Sequence, residues 1–581
     1  MEEPNFSRAS PRRFITMTMQ DKYMAVCFIY DRVQYQNLCR YENPDGTFNI
    51  SKNCLAKLPH HTNPFIEALE DSNSSPASSS ESALIKYGDR SQSPMPPLNA
   101  FVSHYWLQMS MAALIISLLT ILLVYFMTAI FTNRKKGPRT ARVDNSGTIS
   151  LGKISFHPDE VLGVGSKGTF VYRGSFEGSQ DCAVKRVVSQ CLTLADREVD
   201  FLRSLQHPNL VRYLATEIDP QFIYIALELA EYTLRSVVEN EKLDEVDLSL
   251  QELCRQSAMG LEHLHQLDIV HRDIKPENIL ISFCKRPYNK RSVMISDFGL
   301  SKQLDNYDTH GHSSSVLRYF DGTQGWMAPE IIEAKLEGKN LAPSKAADIF
   351  SLGNVFYYIF FGGRHPFGEK VESRQFNIKE NRNVFNEFSM SDNLRPLTAE
   401  VILCNHLVGS MIAPQPENRP PISSVLKFPL FLSKDRQLQF LSDVSDWLDQ
   451  DKGFTSIEKN RRKVFGFDWK QSLTTSLLDD IEGRNGTKHR GYRGHKLQDL
   501  LRVIRNKRNH YNDCSDELKS DLGHMPDQFL EYFNSRFPEL ILHVYKAFQI
   551  HRRNINFKNY YNQDDDYYFK ELDEIHCLSR N

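Results

Sequence analysis

From Trp106 to Phe131 the sequence WLQMSMAALIISLLTILLVYFMTAIF contains no charged residue. As a helix rising about 1.5 Å per residue it would measure roughly 39 Å, enough to cross a bilayer with room for tilt. Leu, Ile, Val and Met occur all round that helix, and Tyr105, Trp106 and Tyr125 stand toward its ends, where amphipathic rings settle at a membrane interface. A buried core helix would be shorter and would show a polar stripe. Other patterns follow downstream. Residues flanking Gly163 are apolar and strand-like, and Thr169-Phe-Val-Tyr172 reads as the second strand of a hairpin. Near the C-terminus three apolar sets recur at helical spacing: Phe440, Val444, Trp447 and Leu448; Leu497, Leu500, Leu501 and Ile504; Phe529, Tyr532, Phe533 and Phe537.

At 581 residues the chain is too long for one ordinary core. Its net charge of −2 excludes no class of partner until it is localised. Arg134, Lys135, Lys136, Arg139 and Arg142 follow the apolar segment, whereas the twenty residues before it carry only Lys86 and Arg90. The positive-inside rule therefore puts the C-terminal side in the cytosol and the first hundred residues in a lumen or outside. No charged region followed by an apolar one opens the chain, so insertion is expected to depend on the membrane segment itself. Asn5, Asn49 and Asn73 sit in N-x-S sequons, and Cys27, Cys39 and Cys54 make an odd count that leaves one thiol for intermolecular pairing. The Ser/Pro-rich stretch from Asp71 to Pro97 reads as a disordered tether. Ten cysteines without a CxxC pair argue against a zinc ribbon or a dense disulfide scaffold and for buried or free thiols.

The hairpin around Gly163-Val-Gly-Ser-Lys-Gly168 lets backbone N–H groups approach phosphate oxygens through Gly163, Gly165 and Gly168. A dinucleotide fold would lead those glycines into a helix, whereas here a strand follows. Cys182-Ala-Val-Lys185 comes at protein-kinase spacing, with Glu198 on an expected helix beside Val199, Leu202 and Leu205. Lys185 would hold the α/β-phosphates of ATP or ADP, and Glu198 would hold Lys185. Glu228 is counted with the nucleotide-binding positions. His271-Arg-Asp-Ile-Lys-Pro-Glu-Asn278, Asp297-Phe-Gly299 and Ala328-Pro-Glu330 then follow in order. Phosphoryl transfer needs a carboxylate to orient the hydroxyl, assigned to Asp273, and oxygen ligands for Mg²⁺, assigned to Asn278 and Asp297. Lys275 is placed to neutralise the transferred group. Ser313, Ser314 and Ser315 are the candidate phosphosites, in a segment where added phosphate could pair with Arg272. Thr309 and Thr323 lie in the same segment, and Asp348 and Arg419 are expected to form the structural ion pair of the C-lobe.

Beyond the kinase pattern, Arg484 to Tyr511 holds nine Lys/Arg and one acid, Asp499, an electrostatic footprint for phosphate. With the Leu/Ile stripe inward, Arg502, Asn506 and His510 would line one exposed face, beside Arg505, and the loop Gly491-Tyr-Arg-Gly494 could bring Tyr492 to it. Together Tyr492, Arg505, Asn506 and His510 form a candidate metal-free nuclease site. RNA can be cut by its own 2′-hydroxyl, so a base, an acid and a charge clamp suffice. An imidazole suits the general acid, here His510. Arg505 would stabilise the phosphorane, Asn506 position it, and Tyr492 assist deprotonation of the 2′-hydroxyl or hydrogen-bond the phosphate.

This arrangement resembles the inositol-requiring enzyme family of endoplasmic-reticulum stress sensors. The resemblance rests on Cys182-Ala-Val-Lys-Arg186, Ala195-Asp-Arg-Glu198, His207-Pro-Asn209, Gly322-Thr-Gln-Gly-Trp326 and Leu500-Leu-Arg-Val-Ile-Arg-Asn-Lys507 with His510-Tyr511. It implies a serine/threonine kinase that phosphorylates its own kind, and homodimers or higher oligomers that activate an endoribonuclease on stem-loops of a stress factor's mRNA. It also implies unfolded proteins or a luminal chaperone as partners of a complete luminal domain, larger than the region preceding the membrane segment here. The expected fold is multidomain: a short luminal region with its tether (1–104), a single transmembrane helix (105–131), a linker (132–153) and a bilobal α+β protein kinase fold (154–432). An all-α kinase-extension nuclease domain (433–555) and a C-terminal tail (556–581) complete it. The alternative is a transmembrane receptor kinase whose C-terminal helices only bind partners.

Overall fold

The computed structural model describes residues 40–42, 48–50, 117–118, 120–121 and 141–574, the last with breaks at 166–167, 189–198, 200–201, 204, 284–289, 305–321, 340, 388–397, 452–454, 484–490 and 573. The chain divides into two units, residues 1–122 and 123–581. In the first, β1 (Arg40–Glu42) pairs antiparallel with β2 (Phe48–Ile50), Arg40 opposite Ile50. The expected span Trp106–Phe131 lies outside the described residues except for four helical positions, Ser117, Leu118, Thr120 and Ile121. No helix among the described residues is long and apolar enough to cross a membrane.

The second unit opens with a seven-stranded sheet in the order β3-β4-β5-β6-β7-β9-β8. Its strands are β3 (Arg142–Val143), β4 (Ile149–Leu151), β5 (Ile154–Val164), β6 (Phe170–Phe176), β7 (Gln180–Val188), β8 (Tyr213–Ile218) and β9 (Phe222–Glu228). Alternation drives its packing, because Cys182 and Val184 of β7 and Tyr224 and Ala226 of β9 put every second residue into one small core with Phe156 and Tyr172. The other face, with Val187, Ile223, Ile225 and Leu227, joins the main core. β5 and β6 form the glycine hairpin, Val164 opposite Phe170. Val199 and Leu202 are helical and buried as expected, whereas Glu198 lies outside the described residues.

Below the sheet, β10 (Ala230–Thr233), β12 (Ile279–Ser282) and β13 (Val293–Ile295) form a three-stranded sheet, and β11 (Ile269–Val270) pairs with β14 (Lys302–Gln303). Helices surround them. α1 (Leu250–Gln266) starts where the Ser249 hydroxyl accepts from the Glu252 N–H and buries Leu253, Ala258, Leu261 and Leu264. α2 (Pro329–Glu337) is entered through a proline. α3 (Lys345–Phe360), capped by Ser344, and α4 (Ala399–Met411), capped by Thr398, are buried almost all round and fill the lobe's centre.

The C-terminal module begins with α5 (Lys434–Gln450), capped by Ser433, and continues through α6 (Thr475–Glu482), α7 (Leu497–Asn509), α8 (Asp527–Arg536) and α9 (Leu540–Phe548). All three apolar sets read from the sequence face inward except Trp447, which is half-buried against Phe548, ring centroids 5.5 Å apart. One hydrophobic core runs without interruption from the kinase lobe into this module. Phe428, for example, meets Tyr545 at 5.6 Å and Phe569 at 4.7 Å.

That last contact corrects the expectation of a tail at 556–581. Phe557, Tyr560, Tyr561 and Phe569 are buried, so leaving this segment loose would expose a large aromatic area. It straps both domains: Tyr560 donates to Asp443 of α5 at 2.6 Å, while Tyr567 donates to the Asn418 carbonyl at 3.0 Å and Ser424 to Asp565 at 2.8 Å. A second correction concerns Arg419, which does not pair with Asp348. Both its terminal nitrogens donate to Glu330 at 2.7 Å, because the first turn of α2 lies beside the loop that carries Arg419. Asp348 is used elsewhere, on the catalytic loop.

Candidate functional site

The kinase cleft is organised from below by Asp348 in the first turn of α3. Buried among apolar neighbours, its carboxylate accepts the backbone N–H groups of His271 and Arg272, both at 2.8 Å, and lies 3.0 Å from His265 Nε2. Two backbone donors on one buried carboxylate satisfy its charge and fix the loop that follows. Arg272 takes a left-handed backbone (φ 72°), as does Asp297 (φ 65°), the sort of local strain that surrounding structure must hold in place. His271 Nε2 lies 3.0 Å from the Ser296 carbonyl, and the His271 ring meets buried Phe298 edge-on at 5.4 Å. The loop from 271 and the loop from 297 are thereby fastened to one another.

Asp273 then sits at the centre of a network. Its carboxylate accepts from Lys275 Nζ at 2.6 Å, from the Thr323 hydroxyl at 2.6 Å and N–H at 3.1 Å, and from Asn278 Nδ2 at 3.0 Å. Lys275 also donates to the Thr323 hydroxyl at 2.6 Å. Thr323, noted in the sequence only as one hydroxyl of the activation segment, is thus part of the cleft. Its signal was its place in Gly322-Thr-Gln-Gly-Trp326.

Lys185 reaches across from β7 and donates to Asp297 at 2.8 Å. The ammonium holds the Asp297 carboxyl down at about 2, against the opposing effect of burial. Ionised Asp297 and the carbonyl oxygen of Asn278, whose amide nitrogen is turned to Asp273, are hard oxygen donors of the kind Mg²⁺ takes. These residues fit the cation that ATP would bring. Gly163, Gly165 and Gly168 stand in the β5–β6 hairpin above, with the Gly165 N–H donating to the Thr169 carbonyl at 2.8 Å. Glu228 ends β9, where its N–H donates to the Arg212 carbonyl at 2.8 Å and its carboxylate lies 3.7 Å from Arg212 Nε. Ser313, Ser314 and Ser315 lie outside the described residues.

In the C-terminal module, Tyr492 and Asn506 come together: Asn506 Nδ2 donates to the Tyr492 hydroxyl at 2.8 Å. Arg502 covers the Tyr492 ring, guanidinium 5.6 Å from its centroid. The loop that carries Tyr492 is pinned on several sides. Asp499, buried, accepts both the Arg493 N–H and its Nε at 2.8 Å, and these bonds outweigh burial to keep its carboxyl below the usual range. Trp469 donates its N–H to the Gly494 carbonyl at 3.0 Å and its indole Nε1 to the Lys496 carbonyl at 2.9 Å. A side chain at Gly494 would put its Cβ 1.8 Å from Asp468 Oδ1, so only glycine fits. Trp469 did not stand out in the sequence, because its partners are some 25 residues away and bind through backbone carbonyls; Asp468 did not either, its carboxylate accepting only from the nearby Lys470 N–H among the described residues.

Arg505 does not stand unpaired on its helix face. Its Nη1 donates to Asp446 and Asp449 of α5, both at 2.7 Å, and its Nε and Nη2 reach Asn506 Oδ1 at 3.3 and 3.2 Å. Nor is the basic run a bare footprint. Arg493 and Arg502 pair with Asp499, Arg508 with Asp435, and Lys507 with Asp480. Asp499 lies within the run itself, but Asp435 and Asp480 sit outside it on α5 and α6, which is why the run alone overstated the charge. The helix also stops at Asn509, so His510 is its C-terminal cap rather than another turn. His510 is exposed, its Nδ1 3.1 Å from Asp513 Oδ2.

A two-lobed kinase core fused through one hydrophobic interior to a helical module defines the class. The family model described as "Protein kinase domain" matches residues 156–431, and the model described as "Ribonuclease 2-5A" matches 437–561. Human "Serine/threonine-protein kinase/endoribonuclease IRE2" is 42% identical over 424 residues, covering 72% of this chain and 43% of that protein. Similar relatives are "Serine/threonine-protein kinase/endoribonuclease ire-1" of Caenorhabditis elegans, 38% identical over 428 residues (72% of this chain, 42% of the relative), and "Sensor for unfolded proteins in the ER ire1" of Schizosaccharomyces pombe, 37% over 436 (70% and 39%). The chain belongs to the IRE1 family of serine/threonine-protein kinase/endoribonucleases. It spans less than half the length of these relatives.

Proposed function

We propose that this chain is an endoplasmic-reticulum stress transducer whose ATP-dependent Ser/Thr kinase phosphorylates other copies of itself and, on dimerisation, activates a metal-independent endoribonuclease that cuts stem-loops in the mRNA of a stress transcription factor. Residues 106–131 are its single membrane span, with kinase and nuclease in the cytosol. The observation that carries this is the pairing of Tyr492 with Asn506, beside Arg505, in a module that shares its core with a kinase cleft holding Lys185, Asp273, Lys275, Asn278 and Asp297. The relatives' names, kinase/endoribonuclease and sensor for unfolded proteins in the ER, agree with it.

In the kinase cleft Asp273 receives and orients the acceptor hydroxyl while Lys275 offsets the charge of the passing phosphoryl group. Asn278 and Asp297 would hold Mg²⁺, which would supply neutralisation of the phosphates. Lys185 turns from Asp297 toward nucleotide oxygens. In the nuclease, the RNA's 2′-hydroxyl attacks the adjacent phosphorus, with Tyr492 assisting removal of its proton. Arg505 and Asn506 stabilise the crowded phosphorane. His510 gives a proton to the departing 5′-oxygen, leaving a 2′,3′-cyclic phosphate and a free 5′-hydroxyl. Cleavage of a stem-loop RNA in excess chelator, compared between wild type and His510→Ala, tests this. Cleavage is expected only in wild type, and equal rates would remove His510 from the mechanism.

A further inference from the structure

Phe467 is the most exposed large hydrophobic side chain among the described residues, at 77%. It does not stand alone. Lys459-Asn-Arg-Arg-Lys463 precedes it, and Lys459, Arg462 and Lys463 are exposed. The Arg462 guanidinium lies over the Phe467 ring, 4.9 Å from its centroid, leaving the opposite ring face to solvent. Gly466, in a left-handed backbone (φ 68°), ends the short helix Arg462–Phe465 and turns Phe467 outward.

This segment is tied at both ends to the loop that carries Tyr492. Arg461 Nε donates to the His495 carbonyl at 2.7 Å. Two residues past Phe467, the Trp469 N–H donates to the Gly494 carbonyl at 3.0 Å. At no more than ~3.6 Å per residue, two residues on each side of that bond keep the Phe467 and Tyr492 Cα atoms within about 20 Å. A few nucleotides of single strand span that distance.

We propose that Phe467, backed by Arg462, is a stacking subsite for an unpaired base of the RNA strand that enters the nuclease, with Lys459 and Lys463 taking its phosphates. The inference rests on the nuclease assignment above. An exposed ring offers a face that any base can use, and a guanidinium behind it strengthens the stack. Basic neighbours select a polyanion over an apolar protein surface. Phe467 touches no reacting atom and serves as a binding residue that sets where the flanking strand lies.

The experiment uses the full chain, a stem-loop RNA, and the same RNA with a 2′-deoxy sugar at the cleavage position, which binds but cannot react. Phe467→Ala is expected to weaken binding of the deoxy RNA roughly tenfold and to raise KM for cleavage by a similar factor with kcat held. Phe467→Trp should restore both to within about twofold. Unchanged affinity in Phe467→Ala would overturn the proposal. So would a loss of cleavage that follows reduced self-association by sedimentation while RNA affinity stays at the wild-type value, because the patch would then be a surface between copies. If wild type cleaves no RNA, the nuclease reading fails, yet a tenfold loss of deoxy-RNA binding in Phe467→Ala still supports the subsite.

Discussion

Around Asp273 the polar side chains answer one another inside one lobe, whereas at the far end of the chain His510 stands in solvent beside Asp513. Both regions are read as catalytic, but they are built differently. The kinase cleft hangs from a buried carboxylate, Asp348, that grips two backbone amides, so its geometry is set before any ligand arrives. The proposed nuclease side fixes Tyr492, Asn506 and Arg505 and leaves His510, its proposed acid, outside that network. A site of the second kind gains most from whatever closes over it, RNA or another copy, which agrees with a nuclease switched by dimerisation.

The largest effects should separate the two regions. Asp273→Ala is expected to lower autophosphorylation by about 10²–10⁴-fold, and His510→Ala to lower RNA cleavage by a comparable factor without touching phosphoryl transfer. Radiolabel incorporation and gel-resolved cleavage on the same preparations check this. A loss of both activities in either variant would break the division.

Next in size is the frame beneath them. Arg419 is fully enclosed and bidentate on Glu330. Arg419→Ala leaves a carboxylate without its partner and should cost about 3–5 kcal/mol, read as a fall in urea midpoint. Phe569→Ala, which opens a cavity where the strap meets Phe428, should cost about 3–5 kcal/mol as well. Because the core is continuous, kinase and nuclease should still melt together in that variant. Two separated transitions would show that the strap, not the shared core, joins them.

A smaller effect comes from Asp297. Its folded carboxyl lies below the ordinary range because of Lys185, so the pair adds stability above the unfolded value and loses it as pH falls toward about 2. The side chain is nearly half exposed, which screens the pair. Lys185→Met should therefore show a slightly flatter fall in melting temperature between the two carboxyl values than wild type does.

How much of this was legible in the sequence follows from the range of each interaction. The kinase motifs are short and local, so Asp273, Lys275, Asn278 and Asp297 could be named from their spacing, and the helical stripes gave the inward faces of α5, α7 and α8. What escaped notice depends on segments far apart. Arg419 and Glu330 are 89 positions apart, and nothing in the spacing of Asp348 excluded it as the partner. The basic run looked largely unpaired because, Asp499 apart, its acids lie on α5 and α6. The strap looked like a tail because Phe557, Tyr560 and Tyr561 keep helical spacing for one turn only, and the acidic run Asp564–Asp566 separates them from Phe569. Glu198, the three serines and all but four positions of the membrane segment lie outside the described residues.

The smallest expected effect bears most directly on the contrast between the two sites. Asp446 and Asp449, three residues apart on α5, both accept from Arg505 Nη1, and no periodicity in the sequence marked them. Each is more than a third exposed, so each pair should contribute only about 0.2–1 kcal/mol to stability. Their effect on cleavage can have either sign. If they hold Arg505 where the phosphorane forms, Asp446→Asn with Asp449→Asn will lower kcat; if they keep the guanidinium from RNA until a substrate displaces them, the same change will tighten binding and raise kcat/KM at low RNA. The geometry favours the first, because Asn506 Oδ1 contacts the same guanidinium and orients it toward Tyr492. The double variant should therefore lose several-fold in kcat with little change in urea midpoint, and the loss should shrink as salt rises, since salt already weakens the pair in wild type. A gain in kcat/KM instead would turn Asp446 and Asp449 from supports into a guard, and would make the nuclease the more tightly held of the two sites.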